Sequence, residues 1–123
     1  MIIGIGTDII EIYRIESAIN KNNKFIEKLF TTREIKYFNE RKLASNVIAG
    51  NFAAKEAVSK AIGTGFRGFE FKDIEVLRDD LGKPFIILSK GIDKIINKKN
   101  IRFHVSISHS KENAIAYAVM EEV

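Results

Sequence analysis

Ser45-Asn46-Val47-Ile48-Ala49-Gly50-Asn51-Phe52-Ala53-Ala54-Lys55-Glu56-Ala57-Val58-Ser59-Lys60-Ala61-Ile62, closed by Gly63-Thr64-Gly65, is the stretch on which the fold of this 123-residue chain turns. It holds no proline, is rich in good helix formers from Ala53 to Ala57, and ends in glycines, so it predicts one long helix over 45–62. Downstream the period changes to two. Ile74 and Val76, Phe85 to Leu88, Ile101 to Ile107 and Ile115 to Val119 read as strands of an antiparallel sheet. Between two of them, Ile92, Ile95 and Ile96 within 90–99 fall at helical spacing.

Upstream, Ile2, Ile3 and Ile5 interleave with Gly4 and Gly6 as a short strand ending near Asp8. Ile12, Ile15 and Ile19 then mark an amphipathic helix, Phe25 to Phe30 another helical turn or two, and Thr31 with Glu34 a capping box opening a short helix through Phe38. The class is α+β, an antiparallel sheet packed against a long central helix and shorter helices. No repeat or linker divides the chain, and the single proline, Pro84, lies in a turn-like segment, so one domain over 1–123 is expected.

Hydrophobic residues at 46% and charged residues at 29% are those of a globular protein rather than a disordered one. With no cysteine, disulfides, thiolate chemistry and sulfur-ligated zinc are excluded, and a reducing, cytoplasmic setting is expected. The apolar start lacks a basic flank and a cleavage site, and no apolar run approaches twenty residues, so neither a signal peptide nor a membrane span is expected. The net charge of +4 favours anionic partners without choosing among them.

Three groups of residues could carry chemistry. Asp8 follows a Gly-Ile-Gly that lacks the third glycine of a dinucleotide fingerprint, and its charge would repel a pyrophosphate, so that reading fails. On position alone Asp8 is more often a helix N-cap than a ligand. Glu56 and Lys60, four apart, share a helix face, where a surface ion pair worth about 0.2–0.5 kcal/mol is the plainer reading. In the segment 101–109, alternation sends Arg102, His104, Ser106 and Ser108 to one face. That donor-rich face suits an anion such as phosphate, or is the solvated side of a two-sided sheet. Nothing there supplies the base, orienter and oxyanion hole of a serine nucleophile. Phe66, Phe69 and Phe71 beside Arg67 raise nucleic-acid binding, but no groove-reading motif accompanies them.

Together Ile3-Gly4-Ile5-Gly6-Thr7-Asp8-Ile9, Phe52-Ala53-Ala54-Lys55-Glu56-Ala57 with Ser59-Lys60-Ala61 and Gly63-Thr64-Gly65, Gly82-Lys83-Pro84, and His104-Val105-Ser106-Ile107-Ser108-His109 resemble the holo-acyl-carrier-protein synthase family of phosphopantetheinyl transferases. The resemblance runs over nearly the whole chain, in order and spacing. It implies the 4'-phosphopantetheinyl transferase fold and transfer of the 4'-phosphopantetheine of coenzyme A to a serine of apo acyl-carrier protein, in support of fatty acid biosynthesis. By it Asp8 and Glu56 are the Mg²⁺ ligands, a donor set that suits an ion shared with substrate phosphates, and Lys60 neutralises phosphate. Gly63, Gly65, His104 and Ser106 receive coenzyme A, Arg14, Lys21 and Lys24 dock the carrier, and the enzyme is a homotrimer with active sites at subunit boundaries. Neither nucleic acid nor membrane is an expected partner. Asn51 departs from the family's usual arginine, implying a lost phosphate contact to be made good by Arg41, Lys42 or Lys55. A transferase serving another carrier domain and a non-catalytic subunit of the same fold are the rival readings.

Overall fold

A computed structural model describes all 123 residues. In chain order the elements are β1 (Ile2–Glu11), α1 (Ile12–Lys21), α2 (Phe25–Leu29), α3 (Thr32–Glu40), α4 (Ser45–Ile62), a 3-10 turn (Phe71–Asp73), β2 (Ile74–Arg78), β3 (Pro84–Leu88), α5 (Lys90–Ile96), β4 (Ile101–His109) and β5 (Asn113–Glu122). The long helix spans 45–62 as its composition predicts, and Gly63 closes it in the left-handed conformation at φ 94°. Thr31 and Glu34 form the reciprocal cap that their spacing promised, with the Thr31 amide donating to Glu34 Oε1 at 3.0 Å and the Glu34 amide to Thr31 Oγ1 at 3.2 Å.

Two expectations need correction. β1 does not end near Asp8 but runs on to Glu11, because Ile9 and Ile10 continue the ladder opposite Ile115 and Ala114. Asp8 is therefore a mid-strand residue facing Ala116 across the ladder, and no helix cap. The strands also form two antiparallel sheets rather than one, ordered β1-β5-β4 and β2-β3. The second is a hairpin whose turn is tied by Asp79 Oδ1, which accepts from the Leu81 and Lys83 amides at 2.9 Å each. The chain leaves β3 through α5, whose Ile92 is fully buried, before β4 begins.

α4 lies across the inner face of the three-stranded sheet, and the sequence allows it to lie very close. The inward residues of β5 are Ala114, Ala116, Ala118 and Met120, all buried, and those of α4 include Ala53, Ala57 and Ala61. On β1 even a methyl group would be too much: a Cβ on Gly4 would sit 2.0 Å from the Ala61 carbonyl oxygen, and one on Gly6 1.9 Å from that of Ala57. These glycines exist for close approach of strand to helix. What the small residues of α4 admit is thus the protein's own first strand.

A second core gathers Ile15, Phe30, Phe38, Ile48 and Ala49 where α1, α2 and α3 meet the start of α4. Beside it lies a buried polar hub that the sequence did not announce. Lys55, fully buried, donates from Nζ to Glu34 Oε1 at 2.7 Å, to the Phe71 carbonyl at 2.8 Å and to the Leu29 carbonyl at 3.0 Å. Glu34 Oε2 accepts from the Val76 amide at 3.2 Å. Asn51 donates to the Val76 carbonyl at 3.1 Å and accepts from Arg78 Nη2 at 2.9 Å. The Lys55–Glu34 ion pair has every donor and acceptor engaged, and the network around it joins α2, α3, α4, the 3-10 turn and β2.

The hub also shows what Asn51 does in this chain and removes Lys55 as a stand-in for the missing arginine. Asn51 and Lys55 are both fully buried and turned to this network. The guanidinium that meets position 51 comes from Arg78 on β2.

Candidate active site

α4 and β1 cross at their smallest residues, and just beyond the crossing their polar side chains face a cavity of about 600 Å³ lined by Asp8, Ile9, Ile10, Glu11, Arg14, Phe52, Glu56, Lys60 and Asn113. Gly4, Gly6 and Asp8 alternate along β1, so the side that accepts α4 through its glycines is the side that presents Asp8 to it. On α4, Phe52, Glu56 and Lys60 recur every four residues and form one stripe. Two acids 48 positions apart in sequence thus meet in one cavity.

Lys60 reaches across the crossing. Its Nζ donates to the Thr7 carbonyl at 3.0 Å and lies 3.4 Å from Asp8 Oδ1. The Asp8 side chain keeps only 18% of its surface exposed while that of Lys60 keeps 54%. Burial pushes the Asp8 carboxyl above its ordinary pKa, against the opposing pull of Lys60. Burial also raises Glu56, and the neighbouring charge of Asp8 raises it further. Both shifts describe two half-desolvated acids short of positive charge.

A divalent cation would relieve that repulsion, and the donor set fits one. Two carboxylates without histidine or thiolate suit magnesium, which keeps several waters and takes substrate phosphate oxygens as further ligands. No cluster of three or more metal-binding side chains occurs anywhere in the chain, so a metal here would share its coordination with solvent or substrate.

The other expected site residues lie elsewhere. His104 stands on the outer face of the three-stranded sheet, its Nε2 3.0 Å from Glu121 Oε1. With Ser106, Tyr117 and Val119 it lines a separate shallow hollow of about 160 Å³. β4 and β1 are separated by β5, and the register sets His104 across from Ile5, three residues along β1 from Asp8 and on the other face of the sheet. Gly63 and Gly65 follow Lys60, at φ 94° and 62°, with open space where side chains would stand. Lys21 and Lys24 are exposed at the end of α1 and the start of α2. Arg14 belongs to the cavity itself, where its Nε pairs with Glu11 at 3.0 Å. Neither Arg41 nor Lys42 lines the cavity.

Sequence reading passed over Glu11, Phe52 and Asn113. Phe52 was discoverable, since it precedes Glu56 by one turn on the same stripe. Asn113 joins Glu11 only through the β1 to β5 register, a pairing that no local signal encodes.

The fold and this cavity define an enzyme class: the chain belongs to the 4'-phosphopantetheinyl transferase superfamily, whose family model matches residues 4–119. Within that superfamily it falls among the holo-[acyl-carrier-protein] synthases. It is 65% identical to the holo-[acyl-carrier-protein] synthase of Clostridium beijerinckii over 123 residues, covering 100% of both chains. Its structure superimposes on the crystal structure of the Neisseria meningitidis holo-[acyl-carrier-protein] synthase with a TM-score of 0.89 at 36% identity, covering 98% of this chain and 99% of that one. The Helicobacter pylori holo-[acyl-carrier-protein] synthase in complex with coenzyme A gives 0.84 at 37% identity, covering 95% and 99%. No helix is long and apolar enough to cross a membrane.

Proposed function

We propose that the chain, as one catalytic domain, transfers the 4'-phosphopantetheine of coenzyme A to a serine of apo acyl-carrier protein, releasing adenosine 3',5'-bisphosphate, in the service of fatty acid synthesis in the cytoplasm. The observation that carries the reading is the meeting of Asp8, Glu56 and Lys60 in one cavity. Asp8 and Glu56 hold Mg²⁺ there, and the ion, when bound, neutralises the pyrophosphate and the charge that grows on the leaving group. Lys60 exchanges its resting contacts at Thr7 and Asp8 for a phosphate oxygen of the substrate, adding a second positive charge on the same side. The serine Oγ forms the new P–O bond while the bond to the nucleotide phosphate breaks in line with it.

The carrier docks along α1 through Arg14, Lys21 and Lys24, which leads its serine to the end of the helix where Arg14 borders the cavity. A homotrimer is supported by the outer face of the three-stranded sheet, where Ile5, Ile9, Ile115 and Tyr117 leave between 43% and 64% of their surface exposed on adjoining strands. Packing that face against a second subunit brings His104 and Ser106, with Gly63 and Gly65, to a nucleotide site shared between chains.

The test is direct. Incubation with coenzyme A, Mg²⁺ and an apo acyl-carrier protein adds one phosphopantetheine mass to the carrier. Chelation of the metal abolishes the gain, and Asp8→Asn or Glu56→Gln lowers the rate by about 10²-fold or more. A folded wild-type protein that modifies no carrier refutes the reading.

A further inference from the structure

One feature of the cavity has no part in metal or phosphate chemistry. Its charged part, Asp8, Glu56 and Lys60, adjoins an apolar part made of Ile10 and the ring of Phe52. Phe52 is half-buried and held from behind: its ring stacks on Phe71 at 5.2 Å and 24°, and Phe71 stacks on Phe66 at 4.1 Å and 11°. Phe66 in turn leans on the buried Phe69 at 5.3 Å. A ring so backed is held against α4, and its remaining surface faces the cavity one helical turn, about 6 Å, before Glu56. The aromatic cluster after α4 is thus a fixed backing for one pocket residue.

Resting on the transferase reading, we propose that Phe52 receives the branched carbon next to the reacting phosphorus, the gem-dimethyl centre of the pantoyl unit, and so selects the group that is transferred. In coenzyme A the reacting phosphorus is esterified through one methylene to a quaternary carbon bearing two methyl groups. That centre is the only bulky apolar group close to the pyrophosphate, since ribose and adenine continue the other side with polar atoms. With the pyrophosphate between Glu56 and Lys60, an apolar wall one turn away matches a dimethyl centre a few bonds from phosphorus. Burial of two methyl groups against a fixed ring favours substrates that carry them. Phe52 is a specificity-determining residue, and it leaves the nucleotide half of the ligand untouched.

The experiment compares ligands that differ only on the pantoyl side. Phe52→Ala, and the milder Phe52→Leu, are titrated calorimetrically in Mg²⁺ with coenzyme A, with adenosine 3',5'-bisphosphate, and with a coenzyme A analogue lacking the two methyl groups. Phe52→Ala weakens coenzyme A about 10-fold, Phe52→Leu less, and neither changes the bisphosphate by more than about twofold. Wild type loses affinity for the desmethyl analogue to a similar degree, whereas Phe52→Ala binds coenzyme A and the analogue alike. Equal weakening of coenzyme A and bisphosphate, or a variant that still distinguishes the analogue, overturns the inference. Should Phe52→Ala fold poorly, Phe52→Leu and the wild-type comparison of the two coenzymes decide the matter. These outcomes are read with wild type active on its carrier; a wild type that transfers nothing defeats the broader reading instead.

Discussion

At Asp8 and Glu56 the proposed activity is set against stability at single residues. Each is held partly out of water beside the other, and folding raises both carboxyl pKa values. The folded chain therefore binds protons more tightly than the unfolded one. Stability from these groups is fully present below the ordinary carboxylate range and is lost as pH rises through the folded values. Glu56→Gln removes that cost together with the carboxylate proposed to hold the metal. In metal-free buffer it should melt above wild type at pH 7 and level with it near pH 3, as paired calorimetric scans will show. Lys55 lies at the opposite extreme, since its ammonium is buried and fully partnered. Lys55→Met strands Glu34 without its cation and should lower stability by about 3–5 kcal/mol in urea unfolding.

Among elements, the legibility of the sequence followed the locality of the signal. α4, the capping box of α3 and the alternation of β4 rest on interactions within a few residues, and all three stand as the pattern predicts. The extent of β1 was misjudged because Asp8 looks like a helix cap, whereas its place is fixed by a ladder to β5 more than a hundred residues away. The hub around Lys55 was invisible for the same reason. Lys55 and Glu56 are neighbours in sequence, yet one turns to the core and the other to the cavity, and only the sides of α4 covered by β1 and by β2 decide which. The meeting of β1 and α4 also leaves no room for a side chain on the strand. Gly6→Ala sets a methyl against the Ala57 carbonyl and should cost about 1–3 kcal/mol. Because the strand must lift from the helix, Mg²⁺ affinity measured by titration should fall along with the melting temperature.

For the whole molecule, the chain leaves one apolar sheet face uncovered and divides its expected ligand residues between that face and the α4 cavity. If copies cover that face, Tyr117→Glu at its centre should yield a monomer by light scattering and lose most of its transferase activity while keeping its far-ultraviolet spectrum. Thermal stability of wild type should then rise with protein concentration, and that of the variant should not.

The reach of Lys60 over β1 has a second meaning. The Ile12 amide bonds to the Glu112 carbonyl, which sets the phase of the ladder so that Thr7 turns its carbonyl away from β5, toward the open border of the sheet. That border is ten residues long and studded with exposed isoleucines, the kind of template on which chains stack into fibrils. By seating an ammonium on the Thr7 carbonyl, Lys60 occupies one of the acceptors that a strand pairing with this border would need.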